Sequence, residues 1–355
     1  MISRFFLAAS ILALGACGND ARDAVPADAE EAPATERLAV PDDAGAAAPA
    51  APRARVSDTL GTFEGPVSGL ALWGHPVMSF GSAVLAANGA AGLAVIPVDK
   101  QVEGRVIEGV FDGPVAVGYT EDANFAAAAA GGEVLLYAVD ETPAFTPIGS
   151  VSGKAAALCM IGDTLLVVGA EATAYRVTPD GAAETLYTKP AQGAVHCAAT
   201  DDRFYLAGAE GPVRSFDAGG GAPMMDDAYD GLAIDGFGVV QTPDGEAVVT
   251  LSGGALTVDG PGLGRTEVGV LNGQETLRGA TNVAAGSGNF GSVYRDGVIA
   301  MIADGDLVLL PWAGVARAAG LEGTETVSLR PREAVTPQPE IELELPEMET
   351  FAPTE

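Results

Sequence analysis

Asp226-Asp227-Ala228-Tyr229-Asp230-Gly231 sets three carboxylates beside a glycine turn. Carboxylate oxygens that converge in this way suit a hard cation such as calcium. The run lacks the alternating spacing of an EF-hand loop, and the competing reading is a solvated acidic loop. The other groups that could do chemistry are few. His75 and His196 are the two histidines, which excludes a His-rich metal centre or a two-His zinc motif. His196 adjoins Cys197, but zinc wants about four ligands, so a structural or exposed histidine fits better. No Gly-x-Ser-x-Gly nucleophile elbow and no phosphate-binding P-loop occurs. Gly260-Pro261-Gly262-Leu263-Gly264 reads as a loop rather than a phosphate cradle.

The three cysteines carry two readings. Cys17 closes Leu14-Gly15-Ala16-Cys17, directly after the short apolar run Phe5–Leu14 and the basic Arg4. This resembles a bacterial lipobox, in which a peptidase cuts before the cysteine and acyl chains are added to it. The apolar run is too short to span a bilayer and fits the core of a secretory signal. The alternative is an ordinary signal peptide with an incidental cysteine. Cys159 and Cys197 occupy matching places in Ala157-Leu158-Cys159-Met160 and Ala194-Val195-His196-Cys197. An exported chain meets oxidising conditions, so a Cys159–Cys197 disulfide is expected, with two buried apolar thiols as the alternative. The bond requires Cα atoms within about 7 Å of one another.

The elements that must position these groups are repeats. An apolar run, a small-residue turn, a second apolar run and a polar stop recur six times. The copies are Ser82–Asp99, Asn124–Asp140, Thr164–Asp180, Arg203–Asp217, Glu246–Asp259 and Asp296–Trp312. Each reads as a β-hairpin, because glycine supplies the positive torsions of a tight turn. Successive copies begin roughly 40 to 50 residues apart, the length of a four-stranded propeller blade. A lone hairpin cannot bury both faces, so the repeats must stack. The expected fold is all-β, a six-bladed β-propeller with disordered N- and C-terminal tails. Ala126–Ala130 has helix propensity, but Gly131-Gly132 and the Glu133–Val139 run assign it to a hairpin. A short helix is expected at Trp312–Ala319, stopped by Gly320. Trp73, Trp312 and Tyr205 lie on or beside apolar strand patterns and read as core.

The expected organisation is a lipoprotein signal over 1–16, an Ala/Pro/acidic tether over 17–56, the propeller over 57–322 and an acidic, Pro-rich tail over 323–355. In the tail, Ile341–Leu345 alternates like a strand between Pro339 and Pro346. The tails lack the apolar bulk to fold. A net charge of −30 argues against nucleic acid as a partner. The membrane is the expected partner, through an N-terminal lipid anchor, and the bacterial cell envelope the expected location, on the outer membrane facing the periplasm or exterior.

Several patches together resemble the β-propeller phytases, calcium-dependent phosphatases acting on phytate (myo-inositol hexakisphosphate). The fullest is Gly297-Val298-Ile299-Ala300-Met301 leading through Asp304-Gly305 to Leu307–Ala316, with Pro311-Trp312 before a short helix. Ala71-Leu72-Trp73-Gly74-His75-Pro76 resembles the family's first-strand signature, followed by Gly92-Leu93-Ala94-Val95. Cys197 with Asp201-Asp202 and Tyr205-Leu206-Ala207 resembles another blade, and Asp230-Gly231-Leu232-Ala233-Ile234 a fourth patch. Their shared order spans about residues 65–322. The resemblance implies a hydrolase with calcium as cofactor and a small phosphorylated ligand, and it marks Asp230 and Asp304 as remnants of calcium ligands.

The departures are systematic. Where the family carries two Asp before the first-strand Trp, this chain has Ser68 and Gly69. Asn88-Gly89-Ala90-Ala91 lacks the family's Lys. Gly113-Pro114-Val115-Ala116, then Gly118, replaces Asn-Asn-Val-Asp and the Arg that follows. Gly208-Ala209 replaces a Glu pair, with Glu210 one place later, and Ala228 replaces an Asp. Carboxylates hold the calcium ions that neutralise charge and activate water, and Lys or Arg completes the phosphate clamp. Lys100, Lys154 and Lys189 are the three lysines, none at a matching position. Two readings therefore stand: a phosphatase of weakened or lost activity, or a non-catalytic propeller that binds or assembles an envelope protein.

Overall fold

The computed structural model describes residues 53–142 and 144–331. The readings at Cys17, the signal, residues 17–52 of the tether and residues 332–355 of the tail lie outside the described residues.

Six antiparallel sheets of four principal strands stand in a ring. Their innermost strands are Gly69–Trp73, Val115–Tyr119, Ala157–Ile161, Ala194–Ala199, Gly236–Thr242 and Ala280–Gly286, for blades 1 to 6. Each repeat supplies the next two strands of its blade. The copy at Asn124–Asp140, for instance, forms Asn124–Ala130 and Glu133–Val139, joined through Gly131 and Gly132, both at positive φ. The alanine-rich stretch is thus a strand. Its pairing with Leu135, Leu136 and Tyr137 outweighs the helix propensity of alanine. The helix forms at Trp312–Ala319 and ends at Gly320 in the left-handed region, with φ 88°.

The ring closes with strand Asp58–Thr62, which becomes the outermost strand of blade 6, antiparallel to Asp306–Pro311. Before it, Arg53–Arg55 runs parallel to Thr266–Asn272 at the outer edge of blade 5. This corrects the expected start at 57. Ala54 is buried between two exposed arginines, a period-2 pattern too short to read in an Ala/Arg-rich stretch. The expected end at 322 is also corrected. Val327 N–H donates to the Gln241 carbonyl at 2.8 Å, and Arg330 is buried against blades 1 and 6.

Apolar seams between neighbouring blades make up the core. Val115, Ala126 and Ala128 of blade 2 pack with Trp73, Leu85 and Leu93 of blade 1. Equivalent clusters fill every interface around the ring, and the helix adds Val315 and Ala316 to the blade 5–6 seam beside Trp312. Leu85, Leu165 and Leu309 are wholly buried, each contributing about 1.5–3 kcal/mol over exposure. Trp73, Trp312 and Tyr205 are core residues, in line with their strand patterns.

The inner strands approach closely enough to forbid side chains at some points. A Cβ on Gly118 would collide with the Gly162 carbonyl oxygen of the next blade. Glycine there allows blades 2 and 3 to approach this closely.

Candidate functional site

All six inner strands run the same way along the tunnel. They begin at one face, with Gly69, Val115 and Gly236 around its mouth, and end at the other, with Tyr119, Ile161 and Gly286 around the opposite mouth. We call these the first and second faces. A cavity of about 300 Å³ opens toward the second face, lined mainly by Leu72, Val117, Met160, Phe237 and Val239, with Tyr119, Asp201 and Arg330 at its rim.

Cys159 and Cys197 meet in the tunnel wall, where they form a disulfide between blades 3 and 4 with Cα atoms 5.6 Å apart. Their matching places in successive inner strands produce this distance. The polar residues near the first face tie blades together. Asn282 Nδ2 donates to the Val67 carbonyl at 2.8 Å, across the closure of the ring. His196 Nε2 donates to the Ile234 carbonyl at 2.9 Å, bridging blades 4 and 5, and so serves as a structural histidine. Burial holds the His196 imidazole below its usual range, against smaller upward pulls from that carbonyl and from Asp235.

The four expected metal ligands are not brought together. Asp226 accepts from Ala228 N–H at 3.0 Å and so caps the short 3₁₀ turn Asp227–Tyr229. Asp230 closes that turn through its own N–H to the Asp227 carbonyl. Tyr229, buried under Arg265, donates to Asp259 at 3.1 Å, which fixes the turn between blades 4 and 5. Asp304 belongs to the hairpin turn of blade 6, where both it and Gly305 have positive φ, as a type I′ turn demands. Calcium takes about six to eight oxygens. As arranged, these residues do not converge on such a set, and no group of three metal-ligating side chains forms among the described residues.

What the sequence reading missed lies at the second face. The segment after the helix crosses the tunnel rim and inserts Arg330, which is 9% exposed. Its Nη1 donates to the His75 carbonyl at 2.7 Å and its Nη2 to the Asn289 carbonyl at 2.6 Å. The guanidinium carbon lies 5.0 Å from the centre of the Phe290 ring, a cation–π stack. A Cβ on Gly74 would come within 2.7 Å of the guanidinium, so glycine makes its berth. Nearby, Tyr119 Oη accepts from Gly74 N–H at 2.7 Å. Burial pushes the Tyr119 phenol up, opposed by the Arg330 charge and that N–H. His75 Nδ1 accepts from Val77 and Met78 N–H, which leaves the proton on Nε2 to reach the Glu141 carbonyl at 2.8 Å. The one signal in the sequence was Val327-x-Leu329-Arg330, an apolar alternation with a cation inside a segment read as an acidic tail.

The sheet order and closure define a six-bladed β-propeller. Compared with known proteins, the chain matches no protein-family model and no curated protein. It is similar to several solved structures. One is the WD40 β-propeller domain of Doa1, 11% identical over 72% of this chain and 96% of that chain, with a TM-score of 0.41. Another is a Bacteroides thetaiotaomicron protein of unknown function, 14% identical over 73% and 74%, at 0.48. A third is BBS1N in complex with ARL6DN, 8% identical over 72% and 94%, at 0.46.

Proposed function

We propose that this chain is a non-catalytic binding propeller, exported and held in the bacterial envelope by acylation at Cys17, on a phytase-like scaffold whose hydrolytic site has been lost. The observation that carries the reading is where the candidate acids lie: the Asp226 carboxylate caps the turn that also holds Asp227 and Asp230, Asp304 sits in a hairpin turn on another blade, and no group of three metal-ligating side chains forms among the described residues. Phosphate-ester hydrolysis of the phytase type needs carboxylates that share metal ions. The tunnel walls instead offer apolar and small side chains, an environment for holding a ligand or a partner.

The test is phosphate release from phytate by a soluble fragment that begins ahead of the strand Arg53–Arg55, at saturating calcium, alongside calorimetric titration of calcium. No release and no tight calcium binding are expected. Calcium-dependent turnover would overturn the reading and return the protein to the phosphatases. The anchor is tested separately: Cys17→Ala should move the full chain from the membrane fraction to the soluble fraction, and its retention in the membrane fraction would remove the lipoprotein reading.

A further inference from the structure

Beside the tunnel mouth, a second cavity of about 280 Å³ lies between the loop of blade 1, the loop of blade 6 and the segment that carries Arg330. Its walls include Arg295, Arg330, Ser79, Ser328 and Asn289, with Pro76 and Val77 as the apolar part. None of its lining residues is acidic, in a chain with 48 acidic residues against 18 basic ones.

Arg330 is nine-tenths buried, and its described partners are two backbone carbonyls, with no carboxylate among the described residues. A buried charge without a counter-charge is costly. Asp201, the acid of the tunnel rim, makes no ion pair with it among the described residues. Two of the five guanidinium N–H groups are taken by the carbonyls, which leaves three donors on a group that lines this cavity. A planar edge of donors matches the two oxygens of a carboxylate. Arg295, exposed on the same wall, makes no ion pair among the described residues and adds a second positive charge. Val77, 58% exposed at the rim, offers an apolar surface next to that charge.

We infer that this cavity is a binding site for a small carboxylate with a short apolar body, with Arg330 gripping the carboxylate edge-on, Arg295 adding charge, and Pro76 and Val77 receiving the hydrocarbon. The inference deepens the binding-propeller reading by naming a ligand class. The two fail separately, because carboxylate affinity says nothing of phytate turnover.

The full chain is titrated by calorimetry with N-acetyl-leucine, with N-acetyl-leucinamide and with inorganic phosphate. The acid should bind at least about 10-fold more tightly than its amide, the scale of one charge-assisted hydrogen-bonded contact. It should also bind more tightly than inorganic phosphate, which lacks the apolar body. Arg295→Gln, at an exposed position that folding tolerates, should weaken the acid several-fold and leave the amide unchanged. Arg330→Lys keeps the charge but loses the fork and should weaken it by about 10-fold or more. Equal affinity for acid and amide, tighter binding of phosphate, or affinity unmoved by Arg295→Gln would each overturn the assignment. These three readouts hold even if the Arg330 variant does not fold.

Discussion

Tyr294 donates its phenolic hydrogen to the Asp58 carboxylate at 2.6 Å, between residues 236 positions apart in the chain. The same carboxylate receives Lys100 Nζ at 2.6 Å, and Ser57 Oγ lies 2.7 Å from the phenol. The cluster joins the strand that closes the ring to loops of blades 6 and 1. Burial pushes the Tyr294 phenol well above its ordinary value, reinforced by its bond to Asp58. Tyr294→Phe should therefore cost about 1–3 kcal/mol, the scale of a hydrogen bond to a charged group. Lys100→Ala should cost less than about 1 kcal/mol, since the lysine is half exposed. Urea unfolding ranks the two. If Tyr294→Phe were as stable as wild type, closure would rest on the backbone ladder alone.

The Cys159–Cys197 bridge spans 38 residues of chain and links neighbouring blades at the tunnel wall. By the loop-closure argument, a cross-link of this span removes about 3–4 kcal/mol of unfolded-state entropy. The double variant Cys159→Ala, Cys197→Ala should unfold at markedly lower urea than the oxidised protein, and added reductant should bring the wild type toward it. Coincident midpoints with and without reductant would mean that the bond does not form in solution.

Asp304 tests whether a retained acid is kept for calcium or for backbone geometry. Its φ of 51° and the 87° of Gly305 favour Asn, Asp or Gly. Asp304→Asn and Asp304→Gly should stay within about 0.5 kcal/mol of wild type, while Asp304→Val should lose about 1–2 kcal/mol, the cost of a left-handed residue with a bulky side chain. Melting curves with and without calcium should be superimposable for the wild type. A calcium-dependent gain that Asp304→Asn removes would restore the metal-ligand role.

The hairpins were legible because each is a local event, two apolar runs about a small-residue turn. Even Ala126–Ala130 was readable as a strand from Gly131-Gly132 beside it. The cysteine pair was legible for a related reason, since repetition converts equal positions in two blades into neighbours in space. What the sequence hid is non-local. Asp58 pairs with Leu309 and Arg53 with Gly269, and nothing within five residues of either marks the partner. Arg330 is hidden in the same way, because its berth is built from the His75 and Asn289 carbonyls and the bare Cα of Gly74. The acidic cluster shows the converse. A composition that suits calcium is also a composition that caps turns, and the carboxylate of Asp226, which accepts from Ala228 N–H, shows the second use.

His196 makes the stability of this propeller depend on pH in a window that its burial opens. Burial lowers its native pKa from 6.5, while the unfolded chain keeps the ordinary value. Between the two values the unfolded state binds the proton and the native state does not. The contribution is therefore complete above about pH 6.5, is lost as pH falls toward the native value, and levels off below it. His196→Gln removes the titration and retains an N–H donor for Ile234. The stability of wild type relative to this variant should be greater at about pH 7.5 than at about pH 5, with carboxylate effects common to both chains cancelling. Unfolding curves at the two pH values give the difference directly. A constant gap between wild type and variant would mean that His196 is as free to take up a proton in the folded protein as in the unfolded chain, and the bridge between blades 4 and 5 would then have to be open to water.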